Sequence, residues 1–193
     1  MGAGILPTTI LNGKLHFLFG KENKHEDSAP GFSDFGGGTD NKETFLQTAV
    51  REGGEELTGF LGSGNVVKKM LSNHGTYNID YKPNNAYDAY RMHIFPMEYN
   101  PFLEIYYNNT QKFIHSHLDP SVIKQTKIFE KEEIRWICID DLDKMKSEFR
   151  FYFVNIVEML IKQQKDIEKF IVRNLKKGTK KKTLRNKTRK SVK

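Results

Sequence analysis

Residues 37–56 read GGTDNKETFLQTAVREGGEE and bring acids and glycines together at spacings that could do chemistry. Glu52, Glu55 and Glu56 stand at i, i+3 and i+4, which projects their side chains from one face of a helix. Like charges so placed repel, at a cost on the order of 0.2–0.5 kcal/mol per pair unless something neutralises them. A cluster of hard oxygen donors suits Mg²⁺ or Mn²⁺, ions that also bridge to phosphate oxygens. The run Gly36-Gly37-Gly38 reads as a turn whose backbone carbonyl and amide groups can come close to metal and phosphate. Arg51 is the natural forked hydrogen-bond partner for Glu43 or for one of the cluster carboxylates. An acid-rich helix face is more often only solvated surface. The glycine run, Glu43 and Arg51, all in register with the cluster, turn that balance toward a site.

Helix and strand signals surround these residues on both sides. Thr44 and Gln47 have the spacing of a capping box, so a helix is expected to begin after Thr44. Leu46, Ala49, Val50, Gly53 and Leu57 would form its buried stripe. Before it, ILPTTI and KLHFLF flank Asn12-Gly13, a pair made for a type I′ hairpin turn, which predicts a β-hairpin over Gly4 to Lys21. Phe32 to Phe35 is a short strand candidate ended by the three glycines. Further on, the pattern predicts a short helix over Asn65 to Ser72 and a strand over Asp88 to Met97. Phe102 to Tyr107 fits helix or strand, and a loop is expected around Asp119-Pro120. A strand over Ile134 to Ile139 and a long helix over Phe149 to Asn174 complete the reading. Strands and helices intermix without regular alternation, so the fold class is α/β, a mixed sheet with helices on both sides.

The order Gly37, Glu43, Arg51-Glu52, Glu55-Glu56 matches the signature G-x5-E-x7-R-E-U-x-E-E-x-G-U, where U is a bulky aliphatic residue. Six fixed positions coincide by chance in about one chain of this length per 10⁵. On these residues the chain resembles the Nudix hydrolase family. Beyond the signature, ILPTTILNGKLHFLFGKE resembles the first hairpin of that fold and EKEEIRWICIDDL its last strand. The resemblance implies a Nudix-like α/β/α sandwich and Mg²⁺- or Mn²⁺-dependent cleavage of a diphosphate linkage in a nucleoside diphosphate-X substrate. It implies that Gly37, Glu52, Glu55 and Glu56 hold metal. Arg51 joins the catalytic set, and Gly37, Gly38 and Glu43 form the structural motif. An upstream loop glutamate commonly completes such a site. Glu130, six residues before Trp136 in the manner of mRNA-decapping members, is the first choice, then Glu133, then Glu132. The chain departs from the signature twice. Gly53 stands at the aliphatic position with Gly54 after it, leaving an apolar pocket for other residues to fill, and Thr58 replaces the terminal glycine.

Charge distribution bears on the substrate. Eleven Lys and Arg and no acid lie between Arg173 and Lys193, so the formal charge of +7 belongs to this tail, while residues 1–172 carry a net −4. A segment so charged cannot bury enough surface to fold, which makes 1–172 the hydrolase domain and 173–193 a disordered tail by expectation. Lys176, Lys177, Lys180, Lys181, Lys182, Arg185, Lys187, Arg189 and Lys190 could neutralise RNA phosphates or serve as a nuclear address. The first role suits mRNA decapping at the 5′ cap. Free nucleotides, nucleotide sugars and diphosphoinositol phosphates remain as alternative substrates, and a silent RNA-binding module as an alternative of another class. One cysteine, Cys138, no signal-peptide pattern and no membrane-spanning run suit an intracellular protein, cytoplasmic or nuclear. His115 and His117 read as one strand face without a third metal ligand. Tyr87, Tyr90 and His93 are aromatics that pack a sheet or stack on a base.

Overall fold

A computed structural model describes residues 1–24, 29–40, 42–83, 89–125 and 130–175. The N-terminal hairpin forms as its turn chemistry requires. Strands β1 (Gly2–Leu11) and β2 (Lys14–Glu22) pair antiparallel, and Asn12 and Gly13 both take positive φ, the conformation a type I′ turn demands. Strand β1 divides one edge between two partners. Its Thr8–Leu11 half pairs with β2, and its Gly2–Ile5 half pairs with β4 (Phe35–Gly38). Its other edge runs parallel to β6 (Tyr90–Pro96), which pairs in turn with β5 (Tyr77–Tyr81). Strand β2 carries β3 (Phe32–Ser33) and β7 (Lys131–Cys138), both antiparallel. The sheet is therefore mixed, as expected.

Both sheet faces are apolar, and alternation along the strands assigns the residues. Leu6, Phe17, Phe19, Met92 and Ile94 join one core with α5 (Val154–Lys162) and a following helix α6 over residues 164–175. Ala3, Ile5, Leu18, Phe35 and Phe95 join a second core with α1 (Phe45–Glu56), α2 (Gly64–His74) and α3 (Pro101–His117). Two helical layers enclosing a mixed sheet make the α/β/α sandwich. Among the described residues no helix is long and apolar enough to cross a membrane.

Several local expectations give way to tertiary contacts. Gly36-Gly37-Gly38 is not a turn: these residues lie in β4, paired opposite Gly4, Ala3 and Gly2. Strand β7 begins at Lys131 rather than Ile134, which takes Glu132 and Glu133 out of a loop and into the sheet. Phe102–Tyr107 belongs to the long helix α3, capped by the Asn100 side chain on the Phe102 amide, and α4 (Pro120–Gln125) follows Asp119. His115 and His117 consequently stand on a helix, where i and i+2 diverge, and the His117 ring stacks on Phe113. Residues 149–153 are not helical, because Arg150 N–H donates to the Phe32 carbonyl at 3.1 Å and so ties this segment to β3. Strand β5 has no counterpart in the sequence reading. On α1, Leu46 is exposed, and Thr48, Ala49, Gly53 and Glu56 form the buried stripe. Tyr87, Asp88 and tail residues 176–193 lie outside the described residues.

Candidate active site

The capping box places the start of α1. Gln47 N–H donates to Thr44 Oγ1 at 3.3 Å, and Thr44 N–H donates to Gln47 Oε1 at 2.9 Å. Glu43 therefore sits just outside the helix, eight residues from Arg51. Its two oxygens accept a fork from Arg51, Nε at 3.0 Å and Nη2 at 3.1 Å. Those bonds hold the Glu43 carboxyl down at about 2. Arg51 does more than pair with Glu43. Its Nη2 also donates to the Gly38 carbonyl at 3.0 Å, and its Nη1 donates to Glu52 at 2.8 Å and to Glu55 at 3.2 Å. One guanidinium thus fixes the glycine strand, the helix entry and two of the three clustered acids in a common frame.

Gly37 shows why that strand is glycine. A Cβ there would lie 2.6 Å from the Glu52 carboxylate carbon, so only a bare backbone lets the carboxylate come so near the chain. Burial raises the Glu52 carboxyl above its usual range. Glu55 remains exposed.

Glu56 behaves differently from its neighbours. It is buried, its Oε2 accepts the Gly36 amide at 2.8 Å, and its Oε1 lies 3.0 Å from Lys131 Nζ. The fully buried Lys131 also donates to Glu22 at 2.7 Å and to Ser33 Oγ at 3.2 Å, and Arg150 reaches the same Glu22 oxygen at 3.0 Å. Burial pushes the Glu56 carboxyl up to about 8, against the pull of Lys131. The Tyr107 hydroxyl donates to the Glu56 and Lys131 carbonyls at 3.0 and 3.1 Å, which pins the end of α1 to β7. The i, i+3, i+4 set is therefore divided: Glu52 and Glu55 face Arg51, while Glu56 points inward to an ammonium.

The donors suit a hard divalent cation in kind. Glu52 and Glu55 converge on one nitrogen, and the bare Gly37 backbone leaves its place beside Glu52 free of any Cβ. Among the described residues no three acidic, His or Cys side chains already gather closely enough to hold an ion. Of the loop glutamates, Glu132 pairs with Lys21 at 3.1 Å and Glu133 with Arg135, both along the sheet. Glu130 precedes β7, and its carbonyl accepts the Asn23 amide at 2.8 Å.

Behind the glycine strand lies a cavity of about 420 Å³, lined in part by Gly36, Gly37, Gly38, Tyr81 and Tyr152. Asp34, also in its lining, is 2% exposed and accepts the Tyr90 hydroxyl on both oxygens, at 3.0 and 2.8 Å. Burial raises its carboxyl to about 7. His93 is buried in β6 and driven down to about 4, chiefly by burial. Tyr90, singled out by the sequence as an aromatic, donates its hydroxyl to Asp34, while Glu22, Asp34, Lys131 and Arg150 escape a reading of the sequence. They meet across separations as large as 128 residues, and no spacing rule reaches that far.

No family model and no curated protein sequence matches the chain. Solved structures do. A Caenorhabditis elegans Ap4A hydrolase in a binary complex aligns over 86% of this chain and 98% of its own, with 14% identity and a TM-score of 0.51. A MutT protein from Methanosarcina mazei aligns over 85% and 94% at 13% identity, with a TM-score of 0.45. The NUDIX domain of Shewanella oneidensis NrtR, complexed with ADP ribose, aligns over 84% and 86% at 13% identity, with a TM-score of 0.42. At such identities it is the architecture that is shared, and the first of these alignments, with the mixed sheet between two helical layers, shows that this chain has the Nudix hydrolase fold.

Proposed function

We propose that the chain is a divalent-metal-dependent hydrolase that cuts a diphosphate linkage in a nucleoside diphosphate-X substrate. The observation that carries this is the convergence of Glu52 and Glu55 on a single Arg51 nitrogen, with Glu52 against the bare backbone of Gly37. Glu52 and Glu55 would hold Mg²⁺ or Mn²⁺, with the Gly37 carbonyl as a third donor. When bound, the cation neutralises phosphate charge and lowers the pKa of a coordinated water. Arg51 keeps the two carboxylates and the Gly38 carbonyl in register, so the site needs little reorganisation. Glu56 orients the Gly36 amide from behind and keeps Lys131 beneath the strand. Glu130 is the proposed proton acceptor for the attacking water.

The tail supports RNA with a 5′ cap or 5′ diphosphate as the substrate, since ten cations beyond residue 175 serve no purpose for a free nucleotide. The deciding experiment is a panel of cap-labelled RNA, free cap dinucleotide, deoxynucleotides, nucleotide sugars, diphosphoinositol phosphates and diadenosine polyphosphates, each with Mg²⁺ and Mn²⁺. Metal-dependent cleavage of capped RNA in preference to the others is expected. No turnover of any of them would make the chain a silent binding module.

A further inference from the structure

The cavity behind the glycine strand has a composition that the metal site does not explain. It shares Gly36, Gly37 and Gly38 with that site, so a group extending from a diphosphate at Gly37 toward this side of the sheet enters it. At about 420 Å³ it is the size of a small-ligand pocket and large enough for a purine nucleoside. Tyr81 and Tyr152 supply aromatic walls. Tyr81 is held by Asn155, whose amide donates to its hydroxyl at 2.9 Å, and Arg150 lies 4.8 Å above the Tyr152 ring. The walls are therefore set before any ligand arrives. Among these apolar surfaces Asp34 is the acid, almost wholly buried, with the Tyr90 phenol as its hydrogen-bond donor. A carboxylate has about four acceptor sites, more than one phenol uses.

We propose that this cavity binds a guanine base, stacked on Tyr152 and read by Asp34 through the adjacent N1–H and N2–H₂ donors of its Watson–Crick edge. Guanine is the base with two neighbouring donors on that edge. Adenine offers one donor beside an acceptor nitrogen, and cytosine and uracil place carbonyl oxygens there, which a carboxylate repels. Methylation at N7 lies on the opposite edge, and the positive charge it adds favours stacking on tyrosine; it also acidifies N1–H, so the methylated base keeps both donors only near neutral pH and below. Guanine and 7-methylguanine thus share the chemistry of this site. The proposal rests on the diphosphate-cleaving reading only for the direction from which the base enters.

The test is titration of the chain, without metal and at pH 7.5, with GMP, 7-methyl-GMP, AMP and CMP, followed by calorimetry. One of the two guanine nucleotides should bind at least about tenfold more tightly than AMP and CMP, the discrimination expected of a bidentate base contact. The tighter of the two identifies the source. Asp34→Asn should remove that preference while AMP binding changes little, and Tyr152→Ala should weaken every nucleotide. AMP binding as tightly as either guanine nucleotide overturns the proposal, because a protonated Asp34 would present the donor–acceptor pair that adenine accepts. Unchanged guanine affinity in a folded Asp34→Asn protein overturns it as well. Should Asp34→Asn fail to fold, Tyr152→Ala at its half-exposed position decides: unchanged GMP and 7-methyl-GMP affinity overturns the site. Guanine-selective binding without metal-dependent turnover of any diphosphate would remove the proposed function and leave this site standing. Turnover without base preference would do the reverse.

Discussion

Helix α1 carries two adjacent glycines whose surroundings differ, and replacing each in turn measures how the helix is packed. A glycine inside a helix costs about 1 kcal/mol relative to alanine. At Gly54 an added Cβ meets nothing within 4 Å, so Gly54→Ala should realise the whole gain and raise Tm by about 2–4 °C. At Gly53 the Cβ would lie 2.6 Å from Ile5 Cγ1 and nearer still to Cδ1. Ile5 is fully buried in β1, paired with Phe35 on one side and His93 on the other, and its branched side chain has little rotamer freedom. Overpacking of this kind costs about 1–3 kcal/mol, which offsets or exceeds the propensity gain. Gly53→Ala should therefore lower stability by up to about 2 kcal/mol, and Gly53→Leu, which restores the aliphatic residue of the signature, by more. Ile5→Val alone should cost about 0.5–1.5 kcal/mol, yet less in the Gly53→Ala background, because it removes the nearest clashing methyl. Urea unfolding of the two single variants and the double variant gives a coupling energy of at least about 0.5 kcal/mol if this packing is right. A Gly53→Ala protein as much stabilised as Gly54→Ala would refute it.

Glu55→Gln, at an exposed position, should leave Tm nearly unchanged and lower kcat at least about a hundredfold in saturating Mg²⁺; wild-type turnover would remove Glu55 from the metal site. Alanine at Glu130, Glu132 and Glu133 in turn should single out Glu130 by loss of kcat, since it precedes β7 while the other two lie within that strand. Burial raises Glu56 to about 8 and Asp34 to about 7, so the folded chain keeps protons that the unfolded chain releases near pH 4. Stability contributed by these groups is therefore full below about pH 4 and is lost as pH rises toward 8; urea midpoints measured across that range should fall, and fall less in Glu56→Gln. Removing residues 176–193 deletes ten cations and none of the described core, so KM for long RNA should rise several-fold and its salt dependence flatten, with little change for a free cap dinucleotide. Identical kinetics on long RNA with and without the tail would leave the free-nucleotide reading ahead.

Features that depend on neighbours along the chain are legible in the amino-acid order alone. The Asn12-Gly13 turn, the Thr44–Gln47 capping box and the spacing of Glu43, Arg51, Glu52 and Glu55 are set by local backbone geometry, and each is legible because helix and hairpin periods are constant. Together with the signature they pointed to the fold and to the side of α1 that carries Arg51. The tertiary structure decided the rest. Gly36–Gly38 became a strand because β1 offers it backbone partners, and residues 149–153 left the helix because Phe32 claimed the Arg150 amide. Glu56 has the same sequence spacing as its neighbours, yet it turns inward because Lys131, 75 positions further along, is buried against it. The Asp34–Tyr90 pair, 56 residues apart, is equally invisible to spacing. Desolvation and buried charge pairing act through space, and only the folded chain brings these groups within reach of one another.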